Sequence, residues 1–311
     1  MRRTSPSSVL FSTYNLLNLI PGESQHYPAI VAVIGSLGAD VIAVQEILAP
    51  DPETAASRLR QLARDTGMQC MVPGPDGGTT ALTFGGHGYH VALMWRDGIE
   101  PVPGSLRRIG GGDFWHGLTV LTLDVGGTLV RHAAFHASPF CRLLRADQNE
   151  RLVAAITRPT AMPPALIGAD WNTECADRVI TVDGSWPLYE PDDPYARVPW
   201  FADFIYQCEW EYDEAGLRRH WADRRPGDVL WAGGLHDVAA VTGAWWEPTA
   251  GHYEGDVYAV HGVRRRIDAV RVTEPLIPAM RGHEVLRSAD AIAASDHLPV
   301  TVEYLPSALG G

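Results

Sequence analysis

The chain has 311 residues, 46% of them apolar, and a formal net charge of −12 at pH 7. That is enough apolar material for one large α/β domain or two small ones. No run of about 18 apolar residues occurs, which argues against a transmembrane helix. The opening MRRTSPSSVLF lacks the apolar stretch of a secretory signal, so a cytoplasmic protein is expected.

Strand-like and helix-like segments alternate along most of the length. Residues 9–15 read as a strand ending on Asn15, and 26–38 as a helix with Ile30, Val31, Val33, Ile34 and Leu37 on one face. Residues 40–46 read as a short buried strand ending on Gln45 and Glu46, and 52–67 as a helix stopped near Gly67. A Gly-rich loop, FGGHG, precedes a strand over 89–96. Residues 118–125 and 128–138 read as paired strands joined by GG, a hairpin signal. A helix over 143–156, a strand over 165–172 that ends in polar residues, and strands over 264–272 and 297–304 complete the set. The reading is of one domain over 1–305 with a short tail at 306–311.

The charge is uneven. Residues 183–256 hold 15 Asp and Glu against 5 Arg, while the rest of the chain holds 22 acids against 20 Arg. The same segment carries seven of the ten tryptophans. It reads as an acidic, Trp-rich insertion, a poor surface for duplex nucleic acid, which wants cations that release counterions. Its tryptophans suit the wall of a pocket or a small core of their own. The chain has no lysine, so phosphate contacts fall to Arg, His, Asn or backbone N–H groups. Cys70, Cys141, Cys175 and Cys208 show no metal-binding spacing and read as free thiols in a reducing compartment.

Polar residues recur at the ends of these strands: Asn15, Glu46, His136, Asp170 with Asn172, Asp268, and Asp296 with His297. Each has a plain structural reading as well. Asn15 suits a turn, Glu46 a solvated loop, His136 a hydrogen-bonded core position, DWN a turn with a cap, and Asp268 a partner for Arg264 or Arg266. Their joint position is harder to assign to structure alone, because α/β folds collect ligand sites at strand ends.

In order, the chain shows TYNLLNL, VIAVQE, FHAS, GADWN, RRRID and SDH, spanning 13–297. In this set it resembles the endonuclease/exonuclease/phosphatase superfamily, with its DNase I-like nucleases and its phosphatases. The resemblance implies an α/β fold, a four-layer sandwich of two mainly antiparallel β-sheets flanked by helices. It implies a Mg²⁺-dependent phosphoester hydrolase, with Mn²⁺ as a possible substitute. Glu46 matches the principal metal ligand, Asn15 a residue that positions the metal, and Asp296 completes the acidic cluster. Asp170 matches the residue that orients or deprotonates the attacking water, and Asn172 one that holds a phosphate oxygen. His297 matches the histidine that contacts the scissile phosphate, with Asp268 orienting its ring. His136 matches a histidine that serves the leaving oxygen, opposite Asp170. Arg142, Arg145 and Arg266 are candidates to face the substrate. Departures from the pattern are Leu17, where an acid is common, Ala169 in ADWN, and Ala269 in RIDA.

The resemblance leaves the substrate open. A nuclease predicts Arg-rich loops, for which LRR (106–108) and VRRR (263–266) are candidates. A small phosphorylated molecule or lipid headgroup is favoured by the acidic, aromatic insertion. A catalytically silent binding protein is disfavoured by the intact motif set. The chain is expected to be a monomer.

Overall fold

Two apolar segments, Val9–Leu19 and Val41–Leu48, are buried along nearly their whole length and lie side by side, parallel, within a six-stranded sheet. Strands covered on both faces read as continuous apolar runs. The order across this sheet in the computed structural model is Met280–Val285, Val300–Tyr304, Val9–Leu19, Val41–Leu48, Tyr89–Trp95, Leu82–Thr83. The second sheet runs Leu235–Asp237, Asp268–Thr273, Ala165–Asp170, Thr128–His136, Leu118–Val125, Glu100–Pro101, with Arg107–Ile109 also paired to Leu118–Val125. Each sheet has one parallel pair; the second sheet's is Thr128–His136 with Ala165–Asp170, and the other pairs are antiparallel. All residues are described except Arg2, Pro6, Pro75, Asp76, Pro159, Thr160, Gly310 and Gly311.

The sheets pack face to face through Phe11, Ala43, Leu93, Leu121, Ala134 and Val270. They approach closely at Gly168, where a Cβ would stand 2.8 Å from Thr13 Cβ and 2.9 Å from Ala43 Cβ. Helices Tyr27–Leu37 and Pro52–Asp65 cover the outside of the first sheet through Ile30, Ile34, Leu59 and Leu62 against Ile42 and Val44. Helices Arg142–Thr157 and Arg225–Ala232 cover the second through Leu152, Ile156 and Leu230 against Phe135 and Ile167. Each such fully buried side chain contributes roughly 1.5–3 kcal/mol. The result is the four-layer sandwich that the motifs implied.

Local chemistry sets the boundaries. Asp51 caps the helix Pro52–Asp65 by accepting from Thr54 N at 2.9 Å. The hairpin signal holds: Gly126 (φ 63°) and Gly127 (φ 86°) both take the left-handed region that a two-residue hairpin turn needs, with Val125 opposite Thr128. Two strands start later than the polarity pattern suggests, at Asp268 and Val300. The edge strand Met280–Val285 has no alternation that would announce it, since only its two end residues are buried.

The acidic segment 183–256 divides. A hairpin, Cys208–Tyr212 with Arg218–Ala222, closes over a small core of Tyr195, Phe204, Cys208, Ala222, Tyr258 and Val263, with Trp200 against it. Helix Arg225–Ala232 and strand Leu235–Asp237 belong instead to the main sandwich. The expected tail is also partly structured: Pro306–Leu309 forms a helical turn, and Ala308 and Leu309 pack on the inter-sheet core, while 310–311 lie outside the described residues. All four cysteines are free, and only Cys141 is exposed. Among the described residues no helix is long and apolar enough to cross a membrane.

Candidate active site

Asn15 and Glu46 lie at bulges rather than at strand ends. The pairing of the two central strands runs to Asn15 opposite Gln45 and resumes only at Leu19 opposite Ile47. On the other edge of Val41–Leu48, pairing breaks between Val44 and Ile47. A bulge re-aims a side chain without ending the strand. Here it puts Glu46 (φ 67°), Leu17 (φ 51°) and Asn18 (φ 51°) in the left-handed region, a strain of about 1–3 kcal/mol each that surrounding contacts must hold. The holding contacts are visible. Glu46 Oε1 accepts from Asn15 Nδ2 at 3.0 Å and Oε2 from Asn18 N at 2.9 Å. Asn15 Nδ2 also donates to Asp170 Oδ2 at 3.0 Å, which ties the first sheet to the second.

The second sheet supplies a row. His136 stands opposite Asp170, and Asp170 opposite Asp268, on three adjacent strands. Asp170 Oδ2 lies 3.3 Å from His136 Nε2 and 3.8 Å from His297 Nε2. Its Oδ1 accepts from Asn172 N at 2.9 Å. Asn172 (φ 49°) is fixed through Nδ2 to Ala137 O at 3.1 Å. Asp268 Oδ2 holds His297 Nδ1 at 2.7 Å. Two supports escaped the sequence reading. Ser295 Oγ donates to Asn15 O at 2.8 Å and accepts from His297 N at 3.2 Å. Thr249 Oγ1 accepts from Ile267 N at 3.2 Å and Asp268 N at 3.1 Å. Ser295 heads the SDH motif and Thr249 lies in no motif, and a hydroxyl that receives backbone N–H groups carries no signature of that role.

The charges sort themselves. Burial works against the charged form of His297, but Asp268, Asp170 and Asp296 outweigh it and raise the imidazole well above its usual range. Burial likewise opposes charge on His136, and Asp170 and Glu46 overcome it. Burial would raise the Asp170 carboxyl; the two histidines and the Asn172 N–H outweigh it and hold it ionised. A further histidine, His116, stacks on His136 with ring centres 4.2 Å apart, and burial followed by the His136 charge pushes it down to about 2. It is therefore a neutral plate that limits rotation of a charged ring. Sequence gave no sign of it, since WHG before a strand is unremarkable.

Glu46, His136, Asp170, Asn172, Asp296 and His297 line one cleft of about 360 Å³. Leu17, Asn18, His87, Tyr89, Trp115, His116, Pro139 and Phe140 complete its walls. Two places could hold a metal. Asp170, Asp268 and His297 each offer an atom within 4.8 Å of the others. There, however, His297 Nδ1 is already engaged by Asp268, and the carboxylates already face imidazolium charge. Glu46 and Asp296 are both partly exposed in the cleft, and among the described residues neither has a cationic side chain within 4.0 Å. Carboxylate oxygens are hard donors that suit Mg²⁺, and Asn15 stands next to Glu46, its Nδ2 on Glu46 Oε1 and its Oδ1 on Leu17 N at 3.1 Å.

Two expectations change, and one left open narrows. His136 Nε2 lies 3.3 Å from Asp170 Oδ2, so the two groups expected on opposite sides of the phosphorus stand side by side; in-line attack separates the entering and leaving oxygens by about 180°, and one close pair cannot serve both. The arginines expected to face substrate are occupied elsewhere. Arg145 is buried and donates to Ser138 O at 2.9 Å and to Tyr206 O, clamping the HAS loop to the insertion. Arg266 is buried between Glu190 and Asp237. Arg142 lies over Trp210 and 3.7 Å from Asp223, and among the described residues no arginine lines the cleft. Finally, none of the insertion's tryptophans lines it; Trp246 instead borders a separate cavity of about 310 Å³ with Glu174, Tyr189 and Glu190.

The model of the "Endonuclease/Exonuclease/phosphatase family" matches residues 12–297. No curated protein matches the sequence. Among solved structures the chain is similar to an endonuclease/exonuclease/phosphatase family protein from Bacteroides thetaiotaomicron, at 16% identity over 96% of this chain and 98% of that one, with a TM-score of 0.59. It is similar to TDP2 of D. rerio humanized by 14 mutations, at 12% identity over 96% and 99%, TM-score 0.61. It is also similar to a mannosyl-6-phosphatase of Bacteroides thetaiotaomicron, at 15% identity over 94% and 98%, TM-score 0.57. At these identities the likeness is one of fold.

Proposed function

The chain belongs to the endonuclease/exonuclease/phosphatase family, whose members act on phosphoester bonds, and from that premise we propose that it is a Mg²⁺-dependent phosphodiesterase that uses water as the nucleophile. The observation that carries this reading is the meeting, in one cleft, of two carboxylates with no arginine on them among the described residues, Glu46 and Asp296, and two imidazoles whose charged form is favoured, His136 and His297. A phosphate brings the anion for the imidazoles, and a divalent cation bound by Glu46, Asp296 and Asn15 would offset charge on the phosphoryl oxygens.

The protein's own groups divide the remaining work. Asp170, ionised and fixed by Asn15 and Asn172, accepts a hydrogen bond from the attacking water and orients it. His297 donates Nε2–H toward a phosphoryl oxygen, because Asp268 holds Nδ1 and keeps the ring charged. His136 keeps Asp170 ionised and adds positive charge on the side of attack. Asn172 presents its amide at the cleft wall, beside the phosphate.

Hydrolysis of bis(p-nitrophenyl) phosphate with Mg²⁺, Mn²⁺ or EDTA tests the reading, with Glu46→Gln and His297→Ala as controls. Metal-dependent turnover lost in both variants is expected. Turnover undiminished in EDTA, or in Glu46→Gln, would contradict it. A cleft without arginine, in a chain without lysine, favours a small or short substrate over duplex DNA, which depends on cationic contacts. Plasmid DNA nicked faster than small diesters would reverse that preference.

A further inference from the structure

The FGGHG loop is built for something the reaction above does not require. His87 occupies the left-handed region (φ 62°), an unfavourable place for a side-chain-bearing residue, between Gly86 and Gly88. A Cβ on Gly85 would stand 2.1 Å from His116 O and 2.6 Å from Tyr89 O, and one on Gly86 3.1 Å from Trp115 O. The loop and the segment 115–117 thus touch backbone to backbone, which only glycine permits. Their contact stacks His87 on Trp115, ring centres 4.0 Å apart and planes 21° from parallel. His87 is exposed, Trp115 and Tyr89 are partly exposed, and Phe140 is 60% exposed on the loop after His136. All four line the catalytic cleft.

We propose that the His87–Trp115 stack is a ledge for a nucleobase, and that the substrate is a short nucleotide phosphodiester whose base lies on this ledge while its phosphate meets Asp170 and His297. This rests on the phosphodiesterase reading. The chemistry favours a flat, weakly polar group. Apart from the catalytic residues and Asn18, the cleft is walled by Leu17, Tyr89, Pro139, Phe140 and rings. A sugar's ring of hydroxyls has few partners there. A base has two π faces, and stacking on aromatic side chains tolerates any sequence. With no arginine lining the cleft among the described residues, a polyanion gains little from length. Because the loop contact sets the stack in advance, little side-chain freedom is lost on binding.

The test is cleavage of thymidylyl-3′,5′-thymidine beside the same diester with either thymine removed, in Mg²⁺, by the wild type, His87→Gly and Trp115→Ala. His87→Gly suits a positive φ and leaves the loop unstrained. The expected result is that loss of one particular base lowers kcat/KM about tenfold, mostly through KM. Each variant should lower turnover of the complete dinucleotide at least fivefold more than turnover of the diester lacking that base. Equal use of all three diesters by the wild type, or equal losses in the variants, overturns the ledge. So does cleavage of bis(p-nitrophenyl) phosphate with none of the dinucleotide. A thymidine octanucleotide cleaved more than tenfold better than the dinucleotide overturns the short substrate. If no diester is cleaved, the phosphodiesterase reading fails, and calorimetry judges the ledge: thymidine 5′-monophosphate bound more tightly than ribose 5-phosphate, with the difference lost in Trp115→Ala, supports it, and equal binding overturns it.

Discussion

Two buried charge clusters meet at the strand Asp268–Thr273 and its approach, and they are completed in different ways. Toward the insertion, Arg266 pairs with Glu190 and holds Asp237 at 2.6 Å, and Arg271 holds Asp177 at 2.7 Å. Three carboxylates there share two guanidiniums, Arg266 serving both Glu190 and Asp237. Toward the cleft, among the described residues, Asp268 Oδ1 and His136 Nδ1 are buried without a hydrogen-bond partner, and Glu46 and Asp296 have no cationic side chain within 4.0 Å. In the first cluster every carboxylate meets a guanidinium, although among the described residues Arg271 Nε is buried without a partner; in the second, carboxylates that meet no guanidinium are left for substrate and metal. Charge buried in a fold marks function when the protein leaves it incomplete.

The contrast can be broken most sharply at Asp170. Asp170→Asn should cut kcat about 10³-fold; it also strands the two imidazoles that this carboxylate keeps charged, so stability should fall as well, but activity per folded molecule should fall far more. Loss of folding in that variant without a larger loss of activity per folded molecule would erase the distinction. Arg266→Met should do the opposite. It strands Glu190 and Asp237, lowering stability by about 3–5 kcal/mol, while each molecule that remains folded keeps its activity. Gly168→Val probes what joins the regions. Crowding Thr13 and Ala43 should cost about 1–3 kcal/mol and also slow turnover, since Asn15 and Asp170 meet across the same gap.

A smaller effect belongs to Glu174, whose carboxyl is pushed up to about 8 by burial and then by Glu190. Between its unfolded value and about pH 8, the folded chain keeps a proton that the unfolded chain has released. Stability therefore falls as pH rises through that window. Glu174→Gln should flatten the fall between pH 5 and 8 in urea titrations. An unchanged slope would mean that the acid titrates normally.

Much of the sandwich was legible because strand periodicity and turn chemistry agreed, as at Gly126 and Gly127. The site residues were legible as polar intrusions into apolar runs. What those intrusions concealed was the bulge: a polar residue inside a long strand looks like the end of a short one, as Asn15 and Glu46 did. The arginines misled for a related reason. Three successive arginines look like a cationic loop, yet Arg265 stacks on Tyr258 and Arg266 is buried among acids, leaving only Arg264 exposed. Sequence shows how many charges there are but not which are already paired. Composition also blurred the insertion, because one acidic stretch spans a separate hairpin and an edge of the main sheet.

The most direct test of the site is calorimetric titration of Mg²⁺ into the wild type, Glu46→Gln and Asp268→Asn. Binding weakened at least tenfold in Glu46→Gln and retained in Asp268→Asn is the result expected of a cation on Glu46, Asn15 and Asp296. Binding retained in Glu46→Gln and lost in Asp268→Asn would put the cation among Asp170, Asp268 and His297, and would contradict the roles given to both histidines.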